Sequence, residues 1–192
     1  MNFPVLTTSL DLLRGVAAEI PDDRLDAPTP CAQWAVTQVL LHAAGDQHAW
    51  ASTVGAADPP GYNPFAPPDR LADKIERVVG DAIDAATTAW AGVDPGAEAV
   101  PTPLPPVPKM PAQLAAAACA LDAAVHAWDI AVATGLPSPL TAELAAQLAP
   151  AAHATADSLR GFAYAAALPE QSGDDAAAAL LRYLGRDPHW AP

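Results

Sequence analysis

Three residues in this chain have types and spacing suited to chemistry. His42 sits in the apolar run VLLHAAGD and His126 in the apolar run LDAAVHAWD, with Asp122 four residues before His126. Residues four apart share one face of a helix. The rest of that face is small or apolar, with Ala115, Cys119 and Ala133 on or near it. A carboxylate is costly to bury there unless something positive compensates it, and a divalent cation would do so. Asp122 and His126 from one helix and His42 from a facing helix make a two-histidine, one-carboxylate set. Such a set leaves coordination positions open, the pattern of catalytic rather than structural metal sites. Zinc suits these ligands, and nickel and non-haem iron fit as well, so the ligands alone do not choose the metal. The same residues also fit plainer roles. Either histidine can be a hydrogen-bonded core residue, and Asp122 can simply pair with His126 as helix neighbours do.

Other polar residues carry less. Asp46, one turn after His42, fits a place behind the ligands or in a pocket wall, and equally a surface position. Trp50, with Trp34 and Trp128, fits a core or pocket-wall aromatic. Asp129 can cap a neighbouring helix or orient a ligand. His48 points away from His42, and His153 and His189 read as structural or exposed. Cys31 and Cys119 are far apart and outside any CxxC, so neither a zinc ribbon nor a disulfide framework is expected. Neither cysteine has a base beside it in sequence, and Cys31 reads as a buried structural thiol. No GxGxxG, GxxxxGK[ST] or GxSxG is present, so nucleotide binding and serine hydrolysis have no support.

These residues need helices to position them, and proline shows where the helices lie. Pro-rich loops near 56–68 and 93–111 divide the chain, and helix interiors exclude proline. Leu6, Leu10, Leu13, Ala17 and Ile20 space a first amphipathic helix. A second spans about Val36 to Val54. Asp69 is placed to cap a third reaching about Trp90. A fourth has Pro111 in its first turn and Gly135 at its end, and a fifth spans Thr141 to Arg160. Ser172 and Asp175 resemble a capping box before a last helix ending near Gly185. The stretch 93–111 has room for a short extended pair. The expected fold is all-α, a four-helix bundle with shorter C-terminal helices, as one domain over residues 1–192.

Composition sets the limits. Of 192 residues, 22 are acidic and nine are Lys or Arg, a net charge of −13. Clustered basic residues are what nucleic acid and anionic membranes require, so neither is expected as a partner. At 52 % hydrophobic and 16 % charged residues, the chain is too apolar for disorder. No run of about 18 uninterrupted apolar residues suggests a membrane helix, and the first residues lack the basic start of a secretory signal. A cytoplasmic protein with reduced thiols is the expectation. With 48 alanines, the helices can pack closely, within one chain or across a homodimer.

Three segments together resemble a known family. RLDAPTPCAQWAVTQVLLHAAG (24–45) is similar to the N-terminal signature of the DinB-like, mycothiol-dependent maleylpyruvate isomerase superfamily, where P-T-P-C-x-x-W leads into the helix of the first ligand histidine. LDAAVHAWDIAVATG (121–135) resembles its second signature. LLRYLGRDPHW (180–190) is similar to the tail of an actinobacterial metal-binding subgroup. The resemblance implies a four-helix bundle with a divalent metal, zinc first, held by His42, Asp122 and His126. It also implies mycothiol as cosubstrate, activated as a metal-bound thiolate for isomerisation or S-transfer on a small electrophilic substrate. The founding isomerase has Glu where this chain has Asp122, and a separate C-terminal domain that 192 residues are too few to include. No arginine lies near the ligand segments in sequence to hold a dicarboxylate; Arg14 and Arg160 are the nearest candidates. Two other readings share the scaffold: a non-catalytic, metal-dependent small-molecule binding or resistance protein, and a structural bundle that serves to oligomerise.

Overall fold

The computed structural model describes residues 2–55 and 57–191. It is built of helices: α1 (Pro4–Glu19), α2 (Val36–Thr53), α3 (Ile75–Ala91), α4 (Ala112–Thr134), α5 (Ala142–Leu159) and α6 (Ala176–Tyr183). Two two-residue strands, β1 (Val100–Pro101) and β2 (Lys109–Met110), pair antiparallel within the second Pro-rich stretch, with Val100 opposite Met110. The extended pair expected there is present.

The centre is α4. Its sequence is largely alanine, and it is buried on nearly every side. Small side chains let neighbouring backbones come close, so α1, α2 and α5 all pack directly on it, while α3 closes the bundle against α1 and α2. By length and composition α4 could cross a membrane. Its most apolar 18-residue window is 89 % buried inside the bundle, and a core helix of this kind satisfies the same criterion. Leu6, Leu10, Leu13 and Ala17 of α1 and Val36, Val39, Leu40 and Ala43 of α2 form the facing stripes of the core. Trp50, Trp90 and Trp128 are its largest buried side chains.

Helix ends follow local chemistry. Thr141 Oγ1 accepts the Leu144 N–H at the start of α5, and Gly135 takes a left-handed φ of 79° after α4. Pro111 lies just before α4 rather than in its first turn. Two expected starts differ. Asp69 caps nothing: residues 69–74 are irregular and α3 opens after Lys74. Leu71 is only half-buried there, so a helical turn would have no core face to pack, and short helices need that packing. Asp175, not Ser172, caps α6, accepting the Ala178 N–H at 2.9 Å. The preceding Asp174 is drawn instead to the buried Arg182 at 2.8 Å. The fifth helix lies where it was expected, over Ala142–Leu159, and the last, α6, is a short eight-residue helix.

Candidate metal centre

Where α2 crosses α4, their facing side chains are not apolar. His42 projects from α2; Asp122 and His126 project from α4 one turn apart. His126 Nε2 lies 3.3 Å from Asp122 Oδ1, and His42 Nε2 lies 3.6 Å from the same oxygen. The three donor atoms lie within 4.8 Å of one another. The two imidazole rings meet edge to face, with centroids 4.7 Å apart.

The outer nitrogens of both rings are occupied. His42 Nδ1 is 2.9 Å from the Pro64 carbonyl, which can only accept, so Nδ1 donates and Nε2 is the nitrogen that faces Asp122. His126 Nδ1 donates to Asp129 Oδ2 at 2.9 Å. A hydrogen bond on the far nitrogen is how proteins orient a metal-ligating histidine. The spacing is also suitable. Bonds of about 2.0–2.2 Å to a tetrahedral zinc put its donors roughly 3.3–3.6 Å apart, and the two separations above lie in that interval. The donor set therefore fits a divalent cation.

The Pro-rich loop after α2 holds His42 in place. Gly45 makes the approach feasible: a Cβ there would meet Pro64 Cγ at 3.0 Å and Tyr62 Cε2 at 3.1 Å. The Tyr62 hydroxyl donates to the Leu41 carbonyl at 2.6 Å, tying the loop to the helix. Trp34 lies against the His42 ring at 4.8 Å.

Charge is concentrated around this point. Burial alone would raise the Asp122 carboxyl, but His126 and His42 outweigh it and hold Asp122 well below the usual carboxylate range. Asp46 is buried one turn along α2, its carboxyl against that of Asp122. Burial first, then the Asp122 charge, push it up to about 7. Gln47 completes the support: its Nε2 lies 3.4 Å from Asp122 Oδ2, and its Oε1 accepts the Cys119 thiol at 3.1 Å. Trp50, one turn after Asp46 on α2, is buried and is among the residues lining the adjoining cleft.

Beyond His126 the charges continue into the C-terminal segment. Arg186 donates from Nε to Asp129 Oδ1 at 2.9 Å and from Nη2 to Oδ2 at 2.8 Å. Burial opposes the Asp129 charge, yet the Arg186 guanidinium and His126 keep that carboxyl well below its ordinary range. The Cys31 thiol donates to Asp129 Oδ2 at 3.3 Å and lies 3.6 Å from Arg186 Nη2. Cys31, His126 and Asp129 form a second group of donor atoms close enough for a metal. There the Asp129 charge is already matched by Arg186, so the His42, Asp122 and His126 set is the better cation site.

The centre opens into a cleft of about 580 Å³. Trp34, Phe65, Leu104, Phe162, Tyr164 and Arg186 are among its walls. Burial, then the Asp122 charge, push the Tyr164 phenol up to about 12.

Thus the structure brings together His42, Asp122 and His126, with Asp46 and Trp50 adjacent, and gives Asp129 the orienting position. It corrects two expectations. Cys31 is half-buried rather than buried, and its thiol lies against Asp129 and Arg186. The arginine at the site is Arg186, not Arg14 or Arg160. Arg14 pairs with Asp84 on the surface, and Arg160 is held by Asp157 and the Ala165 and Tyr183 carbonyls. Phe65, Phe162, Tyr164 and Arg186 carry no spacing signal in the sequence. Only the tail segment LLRYLGRDPHW, which contains Arg186, pointed toward one of them.

Comparison with known proteins identifies the family. Residues 6–131 match the family model described as the mycothiol maleylpyruvate isomerase N-terminal domain. That span contains His42, Asp122, His126 and Asp129, but not the segment that supplies Phe162, Tyr164 and Arg186. Two uncharacterized proteins of Mycobacterium tuberculosis, from strains CDC 1551 / Oshkosh and ATCC 25618 / H37Rv, are each 32 % identical to the chain over 148 residues. The alignments cover 75 % of this chain and 73 % of theirs. No solved structure matches significantly. An all-α bundle whose family match spans α1 to most of α4, with both histidine-bearing segments inside it, belongs to the mycothiol maleylpyruvate isomerase N-terminal domain family.

Proposed function

We propose that the chain is a metal-dependent thiol transferase or isomerase. His42, Asp122 and His126 hold a divalent cation, zinc best, and a low-molecular-weight thiol, mycothiol, reacts with a small electrophile in the adjoining cleft. The observation that carries this reading is that His42 Nδ1 donates to the Pro64 carbonyl and His126 Nδ1 to Asp129, which turns both Nε2 atoms onto one carboxylate oxygen of Asp122.

When bound, the cation supplies a Lewis-acid centre that acidifies a thiol and yields a nucleophile at neutral pH. The protein residues do the rest. Pro64 and Asp129 fix the ring tautomers. Gln47 restrains Asp122. The Asp46 carboxyl is a protonatable group beside the centre, and the Tyr164 phenol, which stays protonated, can donate a hydrogen bond to a bound thiol or product. Trp34 and the Phe65 loop cover His42 and keep water from it.

The test is conjugation of mycothiol to a model electrophile by zinc-loaded wild-type protein and by His126→Ala. The proposal expects catalysed thiol loss that disappears in the variant together with its metal. An active, metal-free His126→Ala protein would contradict it. Stoichiometric ligand binding without turnover would favour a sequestering binder on the same scaffold.

A further inference from the structure

The cleft has two chemically different ends. Its inner end holds His42, Asp122, His126 and Asp46. Its mouth is apolar and is built by three loops far apart in the chain. Phe65 comes from the loop between α2 and α3, Phe162 from the turn after α5, and Leu104 and Pro105 from the β1–β2 connection. The Phe65 and Phe162 rings lie 4.8 Å apart at 40°. Phe162 is 62 % exposed, and among the described residues no other large hydrophobic side chain stands out in this way.

The charge at the cleft is committed. Of nine Lys and Arg residues in the chain, only Arg186 lines it. Its Nε and Nη2 both face the Asp129 carboxylate, and its Nη1 turns back toward the Leu184 carbonyl at 3.4 Å. One positive charge is thereby matched by one negative charge. Asp46 and Asp122 also face the cleft, and the chain carries −13 overall. Beyond the cation proposed at His42, Asp122 and His126, a dicarboxylate entering would find no unmatched side-chain cation for its second charge, against the repulsive field of an acidic chain. A flat, uncharged molecule would lose little and would gain ring contacts at the mouth.

On the proposed reading of the site, we infer that its electrophilic substrate is an uncharged molecule with an aromatic or planar apolar body, gripped at the mouth by Phe65 and Phe162, and not a dicarboxylate. Phe162 is a specificity residue: it contacts the body of the substrate and takes no part in bond making.

The experiment uses the neutral fluorescent probe N-phenyl-1-naphthylamine with the full chain, both zinc-loaded and after chelator treatment. Saturable binding is expected in both forms, weakened roughly tenfold by Phe162→Ala and unaffected by millimolar maleate. Phe162 is exposed, so the substitution leaves the core intact, and Phe65→Leu serves as a second variant with the same expected direction. Absence of saturable binding, equal affinity in both variants, or displacement by sub-millimolar maleate would overturn the inference. So would a dimer, seen by sedimentation, that dissociates in Phe162→Ala, since the ring would then serve a second copy of the chain. Because the chelated protein is tested too, failure of the metal reading would appear as missing zinc and would leave probe binding in place.

Discussion

Replacing Arg186 by Ala tests how the C-terminal segment is joined to the centre. The Asp129 side chain is fully buried and that of Arg186 is 10 % exposed. Truncation leaves a buried carboxylate with His126 and Cys31 as its remaining partners. Removing one member of a buried ion pair costs about 3–5 kcal/mol. His126 still neighbours the charge, so the lower end applies, about 3 kcal/mol. For a domain of this length that is a fall in melting temperature of roughly 6–12 °C. The assay is urea and thermal unfolding of chelator-treated protein at pH 7. The double variant Asp129→Asn with Arg186→Met removes both charges and is expected to recover most of the loss. The sign with pH is fixed. Arg186 holds Asp129 below its ordinary pKa, so the stability from the pair is fully present above the unfolded value of about 4 and is lost as pH falls from there through the lower folded value. In Arg186→Ala the carboxyl protonates more readily, so the gap from wild type narrows in acid. A gap under about 1 kcal/mol at pH 7, or one that widens below pH 4, would refute this reasoning.

Other outcomes follow from the same geometry. Gly185 has a φ of 81°, and a Cβ there would meet Ala165 Cβ at 2.8 Å and the Ala166 carbonyl oxygen at 2.9 Å. Gly185→Ala should therefore cost about 2 kcal/mol or more in urea unfolding; an unchanged midpoint would contradict the close approach. Asp129→Asn weakens the hold on His126 and should reduce zinc affinity about 10–100-fold by competition titration, whereas wild-type affinity would show that Asp129 orients nothing. Iodoacetamide on native protein should modify Cys31 at the cleft and spare Cys119, whose thiol is pushed well up by burial and by the nearby Asp46 carboxylate. Labelling of Cys119 before unfolding would count against the buried placement.

Much of the helical layout is legible in the sequence, because two signals agree. Apolar spacing marks the buried faces of α1 and α2, and Pro111 and Gly135 punctuate the ends of α4, whereas in α5 Pro150 lies inside the helix and Thr141 caps its start. His42, Asp122 and His126 are legible for a related reason: one helical turn links Asp122 to His126, and a charged pair within an apolar run implies a compensating partner. What sequence could not supply lies in tertiary closure. Arg186 meets Asp129 across 57 residues, and Cys31 meets Asp129 across 98; no periodicity encodes either meeting. Phe65 and Phe162 join at the cleft mouth from irregular segments, where side-chain spacing carries no period. Asp69 and Ser172 have good cap chemistry, but caps act only where the following turn has a face to bury, and that depends on the rest of the fold.

The central claim is that His42, Asp122 and His126 hold a divalent cation. Plasma mass spectrometry on protein purified without chelator or immobilised-metal resin, wild type beside His126→Ala, tests it most directly. The account expects about one equivalent of metal per chain, zinc foremost, in the wild type and none in the folded variant. A wild type without metal that still folds and melts cooperatively would contradict it and make these histidines core residues.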